Sequence, residues 1–221
     1  MAVELTIVGV GHVFNIAEKV RKIIEDKRPD AVAVELDYLR ARALLEKEER
    51  KKIKNNFLYY MLGRLQERIS SKFGVESGDE MLAAMEAAAA TGAKIYFIDM
   101  NANKVIRKLW KSLSFKRKVQ IFASAFLSIF LSKEDVEKEV QHFESNPDLY
   151  MDGMEKNFPE FKKILIDERN EHMAHHLRNI MRFEEKIVAV VGEGHVNGIK
   201  KILEKDGIKI EIIHLSDLLN L

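Results

Sequence analysis

There is no cysteine among the 221 residues. That excludes disulfides, thiolate metal sites and cysteine nucleophiles, and it fits a reducing compartment. Proline occurs three times and glycine eleven, and no Pro/Gly/Ser-rich stretch divides the chain. Neither sign of charge dominates. The 36 Lys and Arg against 35 Asp and Glu remove the electrostatic case for a nucleic-acid partner, which needs a basic excess. No basic leader precedes the first apolar run, which already contains Glu4. The chain is therefore read as lacking a signal peptide, and a cytoplasmic location is expected. No apolar run reaches the roughly 20 residues that span a bilayer. The longest, Val119 to Leu131, lies between Lys116-Arg117-Lys118 and Lys133-Glu134-Asp135. It is read as a buried helix; the other readings are docking on a membrane or partner, and pairing of two chains through Phe122 to Phe130 as a homodimer.

What is present is a globular composition, 47% hydrophobic and 32% charged, with the dense Lys/Glu usage that leans towards thermophilic proteins. Short β-branched runs at Leu5–Val8, Ala31–Glu35, Lys94–Asp99 and Ile187–Val191 read as buried strands. Ile208–Ile213 alternates and reads as an edge strand. Asn15 is expected to cap a helix through Lys27, Ser77 and Glu80 to form a capping box, and Gly92 to close the alanine-rich helix that follows. Between strands three and four, over 103–185, only helical patterns occur. The expectation is one α/β domain over 1–221: a mostly parallel central sheet of about five strands flanked by helices, with a long helical insertion.

One short motif occurs twice. Val8-Gly9-Val10-Gly11-His12-Val13 returns as Val191-Gly192-Glu193-Gly194-His195-Val196. Each copy follows a strand pattern and precedes a helical one, so each is expected to form a glycine loop carrying an imidazole at its tip. Gly9, Gly11, Gly192 and Gly194 are the candidate cofactor-binding positions, although the full dinucleotide fingerprint is absent. Ligands of open α/β sheets bind beyond the carboxyl ends of the strands. Those ends carry His12, Glu35, Asp99 and His195, all able to bind a metal or move a proton. Duller roles stand beside these: Glu35 pairing with Arg40 or Arg42, Asp99 capping the next helix. His172 and His176 share a helix face at i,i+4, but without a His-Glu-x-x-His motif they read as residues of an ordinary charged surface.

The two Gly-x-x-His motifs, Val32-Ala33-Val34-Glu35-Leu36-Asp37 followed by Arg40, Gly78-Asp79-Glu80 before an alanine-rich helix, and Asp167-Glu168-Arg169-Asn170 stand in an order that resembles the TraB/PrgY/GumN family, which includes the TIKI proteases. The resemblance runs through most of the chain. It implies a metal-dependent hydrolase, a peptidase acting on peptides or proteins, holding Mn, Co, Fe or Zn. His12 and His195 would be metal ligands or an acid–base pair, and Glu35 a third ligand or the base. Glu80 and Glu168 would complete the site, with Arg40 and Arg169 orienting carboxylates or stabilising an oxyanion. The alternative is a non-catalytic protein that sequesters a peptide, pheromone or small ligand. Asp99 is followed by Met100 where the family often has arginine. Many archaeal relatives continue into membrane helices; the end at Leu221 reads as a soluble, domain-only form.

Overall fold

A computed structural model describes residues 3–11, 16–45, 78–118, 156 and 158–220. Five strands form one all-parallel sheet: β1 (Glu4–Val10), β2 (Ala31–Val34), β3 (Lys94–Phe97), β4 (Lys186–Gly192) and β5 (Ile210–Ile213), in the order β3-β2-β4-β1-β5. Helices α1 (Ala17–Lys27), α2 (Tyr38–Leu45), α3 (Asp79–Thr91) and α4 (Ala102–Ser112) precede a π-helical turn (Lys162–Asp167), itself entered through the short α5 (Pro159–Phe161). The turn runs straight into α6 (Glu168–Ile180), and α7 (Glu193–Glu204) and α8 (Leu215–Asn220) follow.

The central strands are apolar on both faces because both are covered. Along β1, Leu5 and Ile7 join one buried cluster with Met173, Leu177 and Ile199, while Val8 and Val10 join the other with Val20, Ile24 and Ala84. Each fully buried Leu, Ile or Val contributes about 1.5–3 kcal/mol. β5, with its alternating pattern, lies at an edge, as its sequence indicates.

This layout creates a switch point. From β1 the chain passes through α1, on one face, to β2. From β4 it passes through α7, on the other face, to β5. β1 and β4 are neighbours, with Val10 opposite Gly192, so they send the chain in opposite directions. The crevice beyond their carboxyl ends is where such sheets bind ligands. Both copies of the repeated motif therefore leave adjacent strands at that crevice. They are one residue out of register, Gly9 lying opposite Val191 rather than Gly192. His12 itself lies outside the described residues.

Several local expectations are corrected. The second glycine motif is not a loop: β4 ends at Gly192 and α7 begins at Glu193, so His195 stands on the first turn of a helix and is buried. The helix after residue 77 takes Gly78, at φ +93° and without a side-chain cap, as its N-cap, and Glu80 is buried in its first turn. Ser77 lies outside the described residues, as do Asn15 and the run Val119 to Leu131. The cap of α4 is Asn101, whose side chain accepts from Lys104 N–H, which frees Asp99 for other work. Among the described residues no helix is long and apolar enough to cross a membrane.

Candidate functional site

Glu35 follows β2, Asp99 lies two residues past β3, and Gly192 closes β4, so three neighbouring strands deliver two carboxylates and a backbone N–H to one edge of the sheet. Glu35 and Asp99 are both nearly buried. Isolated carboxylates there would cost several kcal/mol each. The compensation comes from the insertion. Arg169, on the first turn of α6, donates Nε to Asp99 Oδ1 at 2.9 Å and Nη2 to Asp99 Oδ2 at 2.8 Å, a forked pair, and Nη2 also reaches Glu35 Oε1. Its Nη1 donates to Leu165 O within the π turn at 3.2 Å. Burial works against the charged guanidinium, but Glu35 and Asp99 outweigh it and hold the pKa above the ordinary arginine value. Arg40 adds a second guanidinium to Asp99, Nη1 to Oδ2 at 3.2 Å, with its side chain 35% exposed.

The other oxygen of Glu35, Oε2, accepts from Gly192 N–H at 2.6 Å. His195 approaches from α7, its Nε2 3.5 Å from Glu35 Oε1. The far side of the ring meets Asn170, Nδ1 lying 2.6 Å from Oδ1. An amide oxygen only accepts, so Nδ1 carries a proton and Nε2 is the nitrogen that faces Glu35. Asn170 fits because position 198 is glycine: a Cβ there would lie 2.0 Å from Asn170 Nδ2.

The remaining predicted residues fall as follows. Glu168 turns to the surface and pairs with Lys108, 2.6 Å away, apart from the Glu35 cluster. Glu80 is buried on α3. Gly9 makes room for Glu193: a Cβ on Gly9 would meet Glu193 Oε2 at 2.0 Å. The Glu193 carboxylate then binds His214 Nδ1 at 2.6 Å and Leu215 N–H at 2.9 Å, tying α7 to the end of β5. Gly194 lies in the first turn of α7, and Gly11 just beyond β1. Glu35 pairs with Arg169, where a local partner, Arg40 or Arg42, was the alternative; Arg40 goes to Asp99. Three residues given no role by sequence are Asn170, Gly198 and Asp37. Asp37 accepts from Leu39 N–H (2.9 Å), Arg40 N–H (3.3 Å) and Ala102 N–H (3.2 Å), joining α2 to α4. A signal for two of them existed: a buried asparagine and a glycine inside helices both break propensity, as functional positions do.

Among the described residues no group of three or more His, Asp or Glu side chains is arranged to hold a metal ion; His12, the third expected ligand, lies outside them. The described donors are His195 and Glu35. Their 3.5 Å separation is close to the edge, about 3.3 Å, of a tetrahedral site with ligand bonds of about 2.0–2.1 Å.

Comparison with known proteins gives a consistent picture. A model of the TraB/PrgY/gumN family matches residues 2–212. An uncharacterized protein of Methanocaldococcus jannaschii is 33% identical over 96% of this chain and 57% of its own. The TraB domain-containing proteins of mouse and human are 26% and 27% identical, each over 88% of this chain and 61% of theirs. The chain thus spans about three-fifths of the length of the relatives it matches.

Proposed function

This chain belongs to the TraB/PrgY/gumN family, and from that premise we propose that it is a metal-dependent hydrolase acting on peptides or proteins at the carboxyl ends of β1 to β4. The observation that carries the reading is the line Asn170–His195–Glu35. With Nδ1 donating to Asn170, His195 turns Nε2 towards the Glu35 carboxylate at 3.5 Å. Two donor side chains at that separation can share one cation. An imidazole and a carboxylate, with His12 as third donor, suit Mn, Fe, Co or Zn. Such an ion supplies Lewis acidity that activates water and polarises a carbonyl.

The chain's own groups have separable tasks. Asn170 fixes the tautomer and ring plane of His195, the outer support on which metal-binding imidazoles depend. Gly192 N–H and Arg169 hold the two oxygens of Glu35 so that the carboxylate stays aimed. Asp99 holds Arg169 and Arg40 side by side. Arg40 is the more exposed of the two, so its guanidinium is the one that a substrate carbonyl or carboxylate reaches.

The test is elemental analysis by mass spectrometry on protein purified without chelator or affinity tag, beside His195→Ala and Asn170→Ala. A transition metal lost in the first variant and bound about 10–100-fold more weakly in the second, together with cleavage of a peptide library by the wild type, is the expected result. An unchanged metal content in His195→Ala, or no cleavage after reloading with Mn²⁺, Co²⁺ and Zn²⁺, would overturn it. Tight peptide binding without cleavage would transfer the site to the sequestering alternative.

A further inference from the structure

We infer that the outer face of α4 binds an acidic stretch of a peptide or protein, whose carboxylates lie along Lys104, Arg107, Lys108 and Lys111. This names the substrate class of the crevice described above, and it rests on the hydrolase reading only for what happens to the peptide once bound. Residues 102–118 contain seven Lys and Arg and no Asp or Glu, in a chain whose net charge is +1, so the rest of the molecule is net negative. On α4 the spacing i, i+3, i+4, i+7 puts four of the seven on one side of the helix. All four are exposed among the described residues, and together they line one shallow, open groove. The helix cannot turn this side inward, because Val105 and Leu109 on the other are buried in one cluster with Ile164.

The face is joined to the candidate site. α4 begins three residues after Asp99, which gathers Arg40 and Arg169, and its first N–H donates to Asp37 at 3.2 Å. Lys108 already grips a carboxylate of the chain itself: its Nζ lies 2.7 and 2.6 Å from the two oxygens of Glu168, the residue before Arg169. Among the described residues Lys108 alone of the four is in an ion pair, so three cations remain for a partner. From Lys104 to Lys111 the helix rises about 10 Å, the reach of about three residues of extended chain. Alternate side chains of such a chain point the same way, about 7 Å apart, close to the roughly 5.4 Å of one helical turn. A bilayer fits less well. The apolar positions of α4 are used inside the protein, and two nearby rings are covered by cations, Arg117 lying 4.9 Å over Phe158 and Lys118 5.1 Å over Trp110. A nucleic acid would draw on a basic excess that the whole chain lacks.

The test is fluorescence anisotropy of a labelled peptide of alternating Glu and Ala, mixed with the full chain without added metal, so that neither hydrolysis nor an ion is needed. Binding should be at least about tenfold tighter than for the Gln/Ala counterpart, and should weaken by at least about tenfold in Lys104→Glu/Lys111→Glu and on adding salt. Lys205→Glu/Lys209→Glu makes the same change of net charge at exposed lysines elsewhere and should bind as the wild type does. Equal affinity for the two peptides, or equal losses in the two double variants, would overturn the inference. So would binding to anionic phospholipid vesicles or to oligouridylate that Lys104→Glu/Lys111→Glu abolishes while peptide binding persists, which would give the face to a membrane or to RNA. Failure of the hydrolase reading would show separately, as acidic peptide bound with this selectivity and never cleaved.

Discussion

Replacing Gly198 by alanine sets two effects against each other. Gly198 lies inside α7, where alanine is favoured over glycine by about 0.8–1 kcal/mol. On propensity alone the variant would be the more stable protein. The new Cβ, however, would lie 2.0 Å from Asn170 Nδ2 and 2.8 Å from its Cγ, well inside contact distance. Asn170 is 4% exposed, so its amide must leave His195 Nδ1 and relocate within a packed interior. The lost hydrogen bond and the polar groups left behind cost about 1–3 kcal/mol, and residual overpacking about 1–3 kcal/mol more. Subtracting the propensity gain leaves a destabilisation of about 1–5 kcal/mol, read as a lower midpoint in urea unfolding followed by circular dichroism. A second consequence is local: any ion held through His195 should bind about 10–100-fold more weakly. The companion variant Asn170→Ala removes the clashing amide, so Gly198→Ala/Asn170→Ala should be more stable than the two single changes predict by about 1 kcal/mol or more. Additivity within about 0.3–0.5 kcal/mol, or a Gly198→Ala protein as stable as the wild type, would refute the packing argument.

Three further outcomes follow from the geometry. Arg169→Lys keeps the charge but loses the fork that grips Asp99 while touching Glu35, and should cost about 1.5–3 kcal/mol in chemical unfolding; a neutral effect would mean the two carboxylates do not depend on that geometry. Gly9→Ala should displace Glu193, break its contacts with His214 and Leu215 N–H, and lower the thermal midpoint, while Gly207→Ala, where a Cβ meets nothing within 4 Å but φ is +75°, would be destabilised through backbone strain alone; ¹⁵N spectra separate the two, because only Gly9→Ala should shift the amide of Leu215. For pH, the Lys94 ammonium and Tyr96 hydroxyl hold the Glu184 carboxylate below its ordinary value of 4.5. Its folded pKa is depressed, so this stabilisation is present above pH 4.5 and is lost as pH falls through the folded value. Lys94→Met/Tyr96→Phe should therefore show a shallower loss of stability with acid than the wild type, and parallel curves would refute the assignment.

Much of the framework could be read along the chain because the strands are short β-branched runs with clear ends, and strand ends are where α/β sheets carry chemistry. The strand ends alone place Glu35, Asp99 and His195 near one edge of the sheet. Strand order was not legible, since parallel strands joined by helices have no local register signal. Nor were the partners of the charges. Arg40 stands five residues from Glu35 yet turns to Asp99, and Glu35 takes its cation from Arg169, because burial rewards the forked geometry rather than proximity in sequence. Glu168 and Arg169 are consecutive, so they point about 100° apart on a helix; one reaches the site and the other reaches Lys108. The N-cap of α3 is Gly78, with a left-handed backbone, where the sequence pattern favoured Ser77. Asn170 and Gly198 make sense only as a pair, and no one-dimensional pattern links them.

The site has a consequence in time as well as in space. Arg169 lies 134 residues from Glu35 along the chain, and the Gly192 amide 157. A chain emerging from the ribosome displays Glu35 and Asp99 long before the arginine that reconciles them exists, and before β4 can insert between β1 and β2. Until that last central strand arrives there is no continuous sheet edge, and His195 has nowhere to stand. The clustered groups therefore meet only in the finished molecule. If they hydrolyse peptides, as proposed, a chain still being made would carry none of that activity.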